Sequence, residues 1–186
     1  MHARTHMKTE RGMSLIELMI AIVVIAIGMG GTTVLLTSTI ASNNRSNTDT
    51  TATLLAQMVM EQISAQLITS TQALQVTDCA GTVWTIAATP GTVGTGNGAS
   101  LRADGTINFN QAQSGLLTSN YAMNYVDCST TGGSRLVYDV RWNVMWVSTN
   151  QSSRMITTSA RPAASSVNGL GGALFALPVT LRGIGQ

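Results

Sequence analysis

The chain has 186 residues, with ten Lys and Arg, eight Asp and Glu and two His, for a formal net charge of +2. Three of the ten basic residues and one of the eight acidic ones precede Met13, which leaves seven of each from Met13 onward. Both histidines (His2, His6) and the only lysine (Lys8) also precede Met13. This excludes from the rest of the chain His-based acid–base catalysis, Ser-His-Asp triads, Lys Schiff bases and His metal sites, and it leaves no stripe of basic residues for nucleic acid.

The first element is a basic leader, residues 1–12, with Arg4, Lys8 and Arg11 against Glu10. Directly after it comes an apolar run, and no charged residue falls between Leu18 and Asn44. The hydrocarbon core of a bilayer, about 30 Å thick, needs roughly 20 helical residues, so the run predicts a membrane-spanning helix beginning near Met13 or Ser14. Excess Lys and Arg before a first span stays cytoplasmic, which places the N-terminus inside and the residues beyond about 45 outside. A secretory signal peptide has a shorter apolar core of roughly 7–15 residues. An uncleaved anchor would not explain Glu17, a carboxylate inside the apolar run.

Glu17 needs a cationic partner, because a carboxylate in a membrane helix costs about 2.5–3.5 kcal/mol on insertion scales. A free α-amine on Met13, four residues away on the same helix face, would serve within one chain or between staggered neighbours. The segment Gly12-Met13-Ser14-Leu15-Ile16-Glu17-Leu18 resembles the class III signal of type IV prepilins and type II secretion pseudopilins, with Met in place of the commoner Phe at position 13. The resemblance implies that a prepilin peptidase cuts between Gly12 and Met13 and methylates the Met13 amine. It also implies that Glu17 acts in filament assembly. The helix text AIVVIAIGMGG is similar to PilV-type minor pilins.

The Gly28, Gly30 and Gly31 cluster lowers helix propensity locally and also suits close helix packing. Asn43 to Thr50 reads as a solvated helical segment or a short break. An amphipathic stripe of Leu54, Leu55, Met58, Val59, Ile63 and Leu67 then predicts a helix packed on its own domain. The texture beyond about residue 75 is β. Strands are predicted at residues 82–88 and 121–127, with a loop over 90–98 and an Asp104-Gly105 turn between Leu101 and Ile107. Asp104 and Asn108 are too few oxygen ligands for a calcium loop. Thr131-Gly132-Gly133 predicts a turn.

The strongest strand pattern places Leu136, Tyr138, Val140, Trp142, Val144 and Trp146 on one face. Val137, Asp139, Arg141, Asn143, Met145 and Val147 form a mixed opposite face. A sheet covered on one side is predicted, its apolar face meeting the helix stripe, with Trp142 and Trp146 in the core. Residues 154–160 should return as the partner strand. Residues 169–172 should form a loop and residues 174–181 a last strand, with Pro178 at a sheet edge. Cys79 and Cys128 predict one disulfide in an oxidising compartment.

These readings give an α+β, pilin-like chain. Residues 1–12 are the leader, 13–44 the hydrophobic helix that anchors in the membrane and forms the filament core, 45–75 its amphipathic continuation and 76–186 an exported β-rich domain. The function expected is that of a structural minor pilin of a type IV pilus, with a minor pseudopilin of a type II secretion system as the alternative. No enzymatic activity, cofactor, metal or nucleic-acid partner is expected. The expected partners are prepilin peptidase, other pilin or pseudopilin subunits, the inner-membrane assembly platform and membrane lipid. The expected location is the inner membrane with a periplasmic domain, then the filament.

Overall fold

The computed structural model describes residues 13–68, 70, 72–131, 134–163 and 177–185. The leader, Gly12, the Gly132-Gly133 turn and the loop expected at 169–172 lie outside the described residues. The elements in order are α1 (Leu15–Ala65), β1 (Leu74–Thr77), β2 (Val83–Ile86), β3 (Asn97–Gly98), α2 (Gln113–Thr118), β4 (Ala122–Thr131), β5 (Ser134–Trp146), β6 (Arg154–Pro162) and β7 (Val179–Gly185). The fold is α+β, a long N-terminal apolar helix packing on antiparallel sheet. The chain divides into two units, Met1–Asn44 and Arg45–Gln186.

In the first unit α1 is apolar and its side chains are exposed, Leu15, Ile22, Ile27 and Leu35 among them. The threonine hydroxyls within it are satisfied by the helix's own backbone. Thr32 donates to Met29 O at 2.9 Å, Thr33 to Gly30 O at 2.8 Å, Thr37 to Val34 O at 2.9 Å and Thr39 to Leu35 O at 2.8 Å. Such back-bonding lets Ser and Thr sit in apolar surroundings without an orphaned donor.

The second unit begins with Arg45 and Asp49, an i,i+4 ion pair at 3.6 Å. The polar stretch of 43–50 is helix throughout, without a break. The buried arc of α1 is Ala52, Leu55, Ala56, Val59 and Ile63. This corrects the predicted stripe: Leu54 is 59% exposed, and Leu67 is 73% exposed and lies beyond the helix end at Ala65. At about 100° per residue Leu54 sits roughly 140° around the helix from Val59. Two of the five residues of the arc, Ala52 and Ala56, are alanines. Their small size brings the helix backbone close enough for the Thr158 hydroxyl to donate to Ala56 O at 2.9 Å.

The main sheet runs β3-β5-β6-β7, with β4 also pairing β5, all antiparallel. β1 and β2 form a separate hairpin. On β5 the helix-facing residues Tyr138, Val140, Trp142 and Val144 are buried, joined by Met123 of β4 and by Ile156 and Ala160 of β6. Trp142 is fully buried and its indole N–H donates to Ala87 O at 2.8 Å. Trp146, expected in the core beside it, is only half-buried, because β5 ends there.

The opposite face of β5 is also covered, contrary to the one-sided sheet predicted. Asp139, Arg141, Asn143 and Met145 are buried as well. The cover is the segment after β3. Arg141 donates to Gln111 O at 2.7 Å, Asn143 Nδ2 to Ala99 O at 2.9 Å, and Arg182 Nη2 to Gly105 O. Gly98, at φ +102°, lets this segment start, since an added Cβ would meet Trp142 O at 2.4 Å. The predicted Asp104-Gly105 turn is present, with Leu101 and Ile107 bridged across it and Gly105 at φ +79°.

The predicted strand at 82–88 is shorter (β2), and the end of the predicted 90–98 loop pairs with β5 as β3. Of the last strand expected at 174–181, residues 174–176 lie outside the described residues; the strand found is Val179–Gly185, whose backbone partners on β6 run from Arg154 with Gly185 to Ala160 with Val179. Pro178 therefore precedes the strand. The 154–160 strand is found as β6.

Two substitutions in the helix should separate the predicted stripe from the observed one. Ala56→Leu overpacks the helix–sheet contact and is expected to cost about 1–3 kcal/mol. Leu54→Ala should change stability by less than about 0.5 kcal/mol, as surface substitutions usually do. Urea midpoints of the detergent-solubilised chain check both; a larger loss from Leu54→Ala than from Ala56→Leu would reverse the assignment.

Candidate functional site

The N-terminal turn of α1 gathers the residues singled out in the sequence. Ser14 precedes the first helical residue, Leu15. The Glu17 N–H donates to Ser14 Oγ at 3.3 Å and to Ser14 O at 3.0 Å, and the Leu18 N–H to Ser14 O at 3.2 Å. Glu17 is the acidic residue of the first turn, where the positive end of the helix dipole favours a carboxylate. Both Met13 and Glu17 are exposed, and the carboxylate of Glu17 has no partner among the described residues. The backbone amide of Glu17 is thus engaged by Ser14, while its side chain is exposed.

Beyond Glu17 the helix is long and apolar enough to cross a membrane by length and composition. From Leu18 to Leu36 it rises about 28 Å at ~1.5 Å per residue, close to the thickness of a bilayer core of about 30 Å.

In the second unit Cys79 and Cys128 are joined by a disulfide, with their Cα atoms 5.1 Å apart. The register of β4 against β5 shifts between Val126 and Thr130, around Cys128. An irregularity of this kind re-aims a side chain, and the Cys79 N–H donates to Val126 O at 3.2 Å alongside the bridge. The bridge spans 49 residues, a loop worth about 4 kcal/mol in the chain-entropy account. It ties the β1–β2 hairpin to the main sheet.

Asp78, next to Cys79, is 5% exposed. Its carboxylate accepts from Ala80 N at 2.9 Å, Thr82 N at 2.8 Å and Trp84 Nε1 at 3.0 Å. Burial opposes its ionisation, but the Trp84 indole and the amides of Thr82, Ala80 and Val126 together hold its carboxyl below the ordinary value. Asp78 is thus the knot of the β1–β2 turn and faces no other carboxylate in its contacts.

The side chains that the sequence did not bring together lie on the second face of β5. Arg141 grips Asp139 with two bonds of 2.8 Å, and Arg161 of β6 approaches the same carboxylate at 3.6 Å. Gln113 Nε2 donates to Asp139 Oδ1 at 2.9 Å and to Asn124 Oδ1 at 2.8 Å. Both guanidiniums lie on the Phe109 ring, at 4.9 and 4.4 Å from its centroid. The i,i+2 spacing of Asp139 and Arg141 in a strand was the available signal, since it puts both on one face. The Phe109 and Gln113 contacts depend on how a distant loop folds back. Arg141, through Gln111 O, and Gln113 fasten that loop to the sheet, while the buried Nε of Arg161 has no hydrogen-bond partner among the described residues.

Asp104 is exposed and closes its own turn, accepting from Thr106 N at 2.9 Å and Thr106 Oγ1 at 2.7 Å, while Asn108 Oδ1 accepts from Asn110 N at 3.0 Å. The two are not joined in a shared site. No group of three or more His, Cys, Asp or Glu positioned to hold a metal is found among the described residues.

Residues 7–33 match the family model of the prokaryotic N-terminal methylation motif. Neither the curated proteins nor the solved structures give a match to the chain. The chain thus carries an N-terminal methylation motif at the head of an apolar helix whose second half packs on an antiparallel sheet. That combination supports a type IV pilin-like protein.

The hydrogen bonds to Asp78 fix a sign for acid stability. A carboxylate whose folded pKa is depressed contributes stability that is present above its unfolded value, about 4, and is lost as pH falls through the folded value. Asp78→Asn should therefore flatten the loss of stability below about pH 4 while lowering stability at neutral pH. Thermal melts across that range check it; an unchanged acid limb would mean that another group sets the acid sensitivity.

Proposed function

We propose that the chain is a minor pilin, a structural subunit of a type IV pilus. The observation that carries the reading is the methylation motif at residues 7–33, continuous with a helix of membrane-spanning length. A prepilin peptidase cuts between Gly12 and Met13 and methylates the new amine. The subunit is held in the inner membrane by residues 13–44, with the N-terminus on the cytoplasmic side and the domain in the periplasm. A disulfide between Cys79 and Cys128 suits that oxidising compartment. The inner-membrane assembly platform then moves the subunit from lipid into the filament among other pilins.

Glu17 is the assembly carboxylate. In the bilayer its charge costs about 2.5–3.5 kcal/mol on insertion scales, and pairing with the Met13 amine of a neighbouring subunit offsets that cost. Subunits thereby gain from a stagger that brings one chain's amine to another's carboxylate. The work is structural and requires no cofactor. The loose likeness of the helix text to PilV-type sequences favours the minor pilin over a minor pseudopilin of a secretion system.

The intact mass of the chain recovered from its native membrane tests the processing. A species beginning at Met13 and one methyl group heavier than its sequence is expected. A chain still beginning at Met1, or one cut near Ala41, would overturn the reading.

A further inference from the structure

An α-helix leaves its first four N–H groups without intrahelical acceptors. In α1 these belong to Ser14, Leu15, Ile16 and Glu17. The Glu17 N–H is taken by Ser14, through Oγ at 3.3 Å and O at 3.0 Å. Ser14 thus stands at the N-cap and Glu17 three residues on. That is the S-x-x-E arrangement of a capping box, in which the hydroxyl of the first residue accepts from the amide of the fourth and the carboxylate of the fourth accepts from the amide of the first. The first half of the exchange is made here. The second half needs only the Glu17 carboxylate, which is in the first turn and has no other partner among the described residues.

Resting on the assembly role of Glu17, we propose that Ser14 is a positioning residue that holds Glu17 through a reciprocal capping box. In the unassembled subunit the carboxylate closes back on the Ser14 N–H. It satisfies a donor that apolar surroundings would otherwise leave unpaired, and it stays at the mouth of the helix instead of turning along its lipid-facing side. A neighbour's amine then meets a carboxylate already placed, and the carboxylate has oxygens enough to keep the Ser14 amide while accepting the new cation. The loss of either half loosens the other.

Amide hydrogen exchange at Ser14 to Glu17, followed by NMR on the full chain in detergent micelles, is measured beside the recovery of each variant in sheared filaments. Ser14→Ala is expected to speed exchange at the Glu17 amide about tenfold and to lower incorporation about three- to tenfold, with Ser14→Thr restoring both. Glu17→Ala is expected to speed exchange at the Ser14 amide, a reciprocal effect that a helix-stabilising serine alone would not give. Glu17→Gln keeps a capping acceptor without the charge, so it should leave the Ser14 amide protected and still lose incorporation.

Ser14 exchange unmoved by Glu17→Ala, or wild-type incorporation of Ser14→Ala, overturns the positioning role and leaves the assembly role of Glu17 standing. Normal incorporation of both Glu17 variants overturns the assembly role itself, whatever the exchange rates show.

Discussion

The buried guanidinium of Arg154 holds the helix and the sheet of the second unit to each other. Arg154 opens β6, is 1% exposed, and donates through Nη2 to Ile63 O and Gln66 O at the end of α1. The last turn of α1 has no basic residue of its own; Ile63 O already accepts from the Gln66 N–H at 3.2 Å, and Arg154 adds further bonds and a positive charge at the negative end of the helix dipole. Burial pulls the guanidinium below its ordinary pKa. Even so, an arginine stays charged at any physiological pH. Placing that charge on β6 matters because β6 is bonded along its length to β5 on one side and β7 on the other. The helix end, once fixed to β6, is fixed to the sheet.

The second contact along the same line is Thr158 with Ala56 O. Together the three bonds hold the helix against the sheet, with Ala52 and Ala56 buried in the contact. The apolar face of β5 then fills against Leu55, Val59 and Ile63. A larger residue at either alanine would overpack this contact, whereas Leu54 lies on a different face of the helix and is exposed.

The two halves of α1 meet different demands with one backbone geometry. In the first unit the threonine hydroxyls bond within the helix, which suits a solvent without hydrogen-bond partners. In the second, Ala56 O and Ile63 O accept additional bonds from sheet residues, which suits a helix that must be held at a fixed register. Glu17 is the exception in the first half, a carboxylate in the first turn of an otherwise apolar stretch with no partner among the described residues.

Features that depend on neighbours along the chain could be read from the residues alone. The apolar length, the first-turn carboxylate after Gly12-Met13, the alternation of β5 with its return in β6, and the Asp104-Gly105 turn are all matters of local periodicity or turn chemistry. These were legible because side-chain direction follows a period of about 3.6 or 2 residues. Other features waited on the folded chain. The burial of Asp139 and Arg141 required the 99–113 segment to fold over them and bring Phe109 and Gln113. The capping of α1 by Arg154 required a partner 91 positions from Ile63. The exposure of Leu54 came from which arc of the helix the sheet meets. A local pattern states that a residue is apolar or charged and which neighbours share its face. Which distant surface arrives on that face is settled by packing.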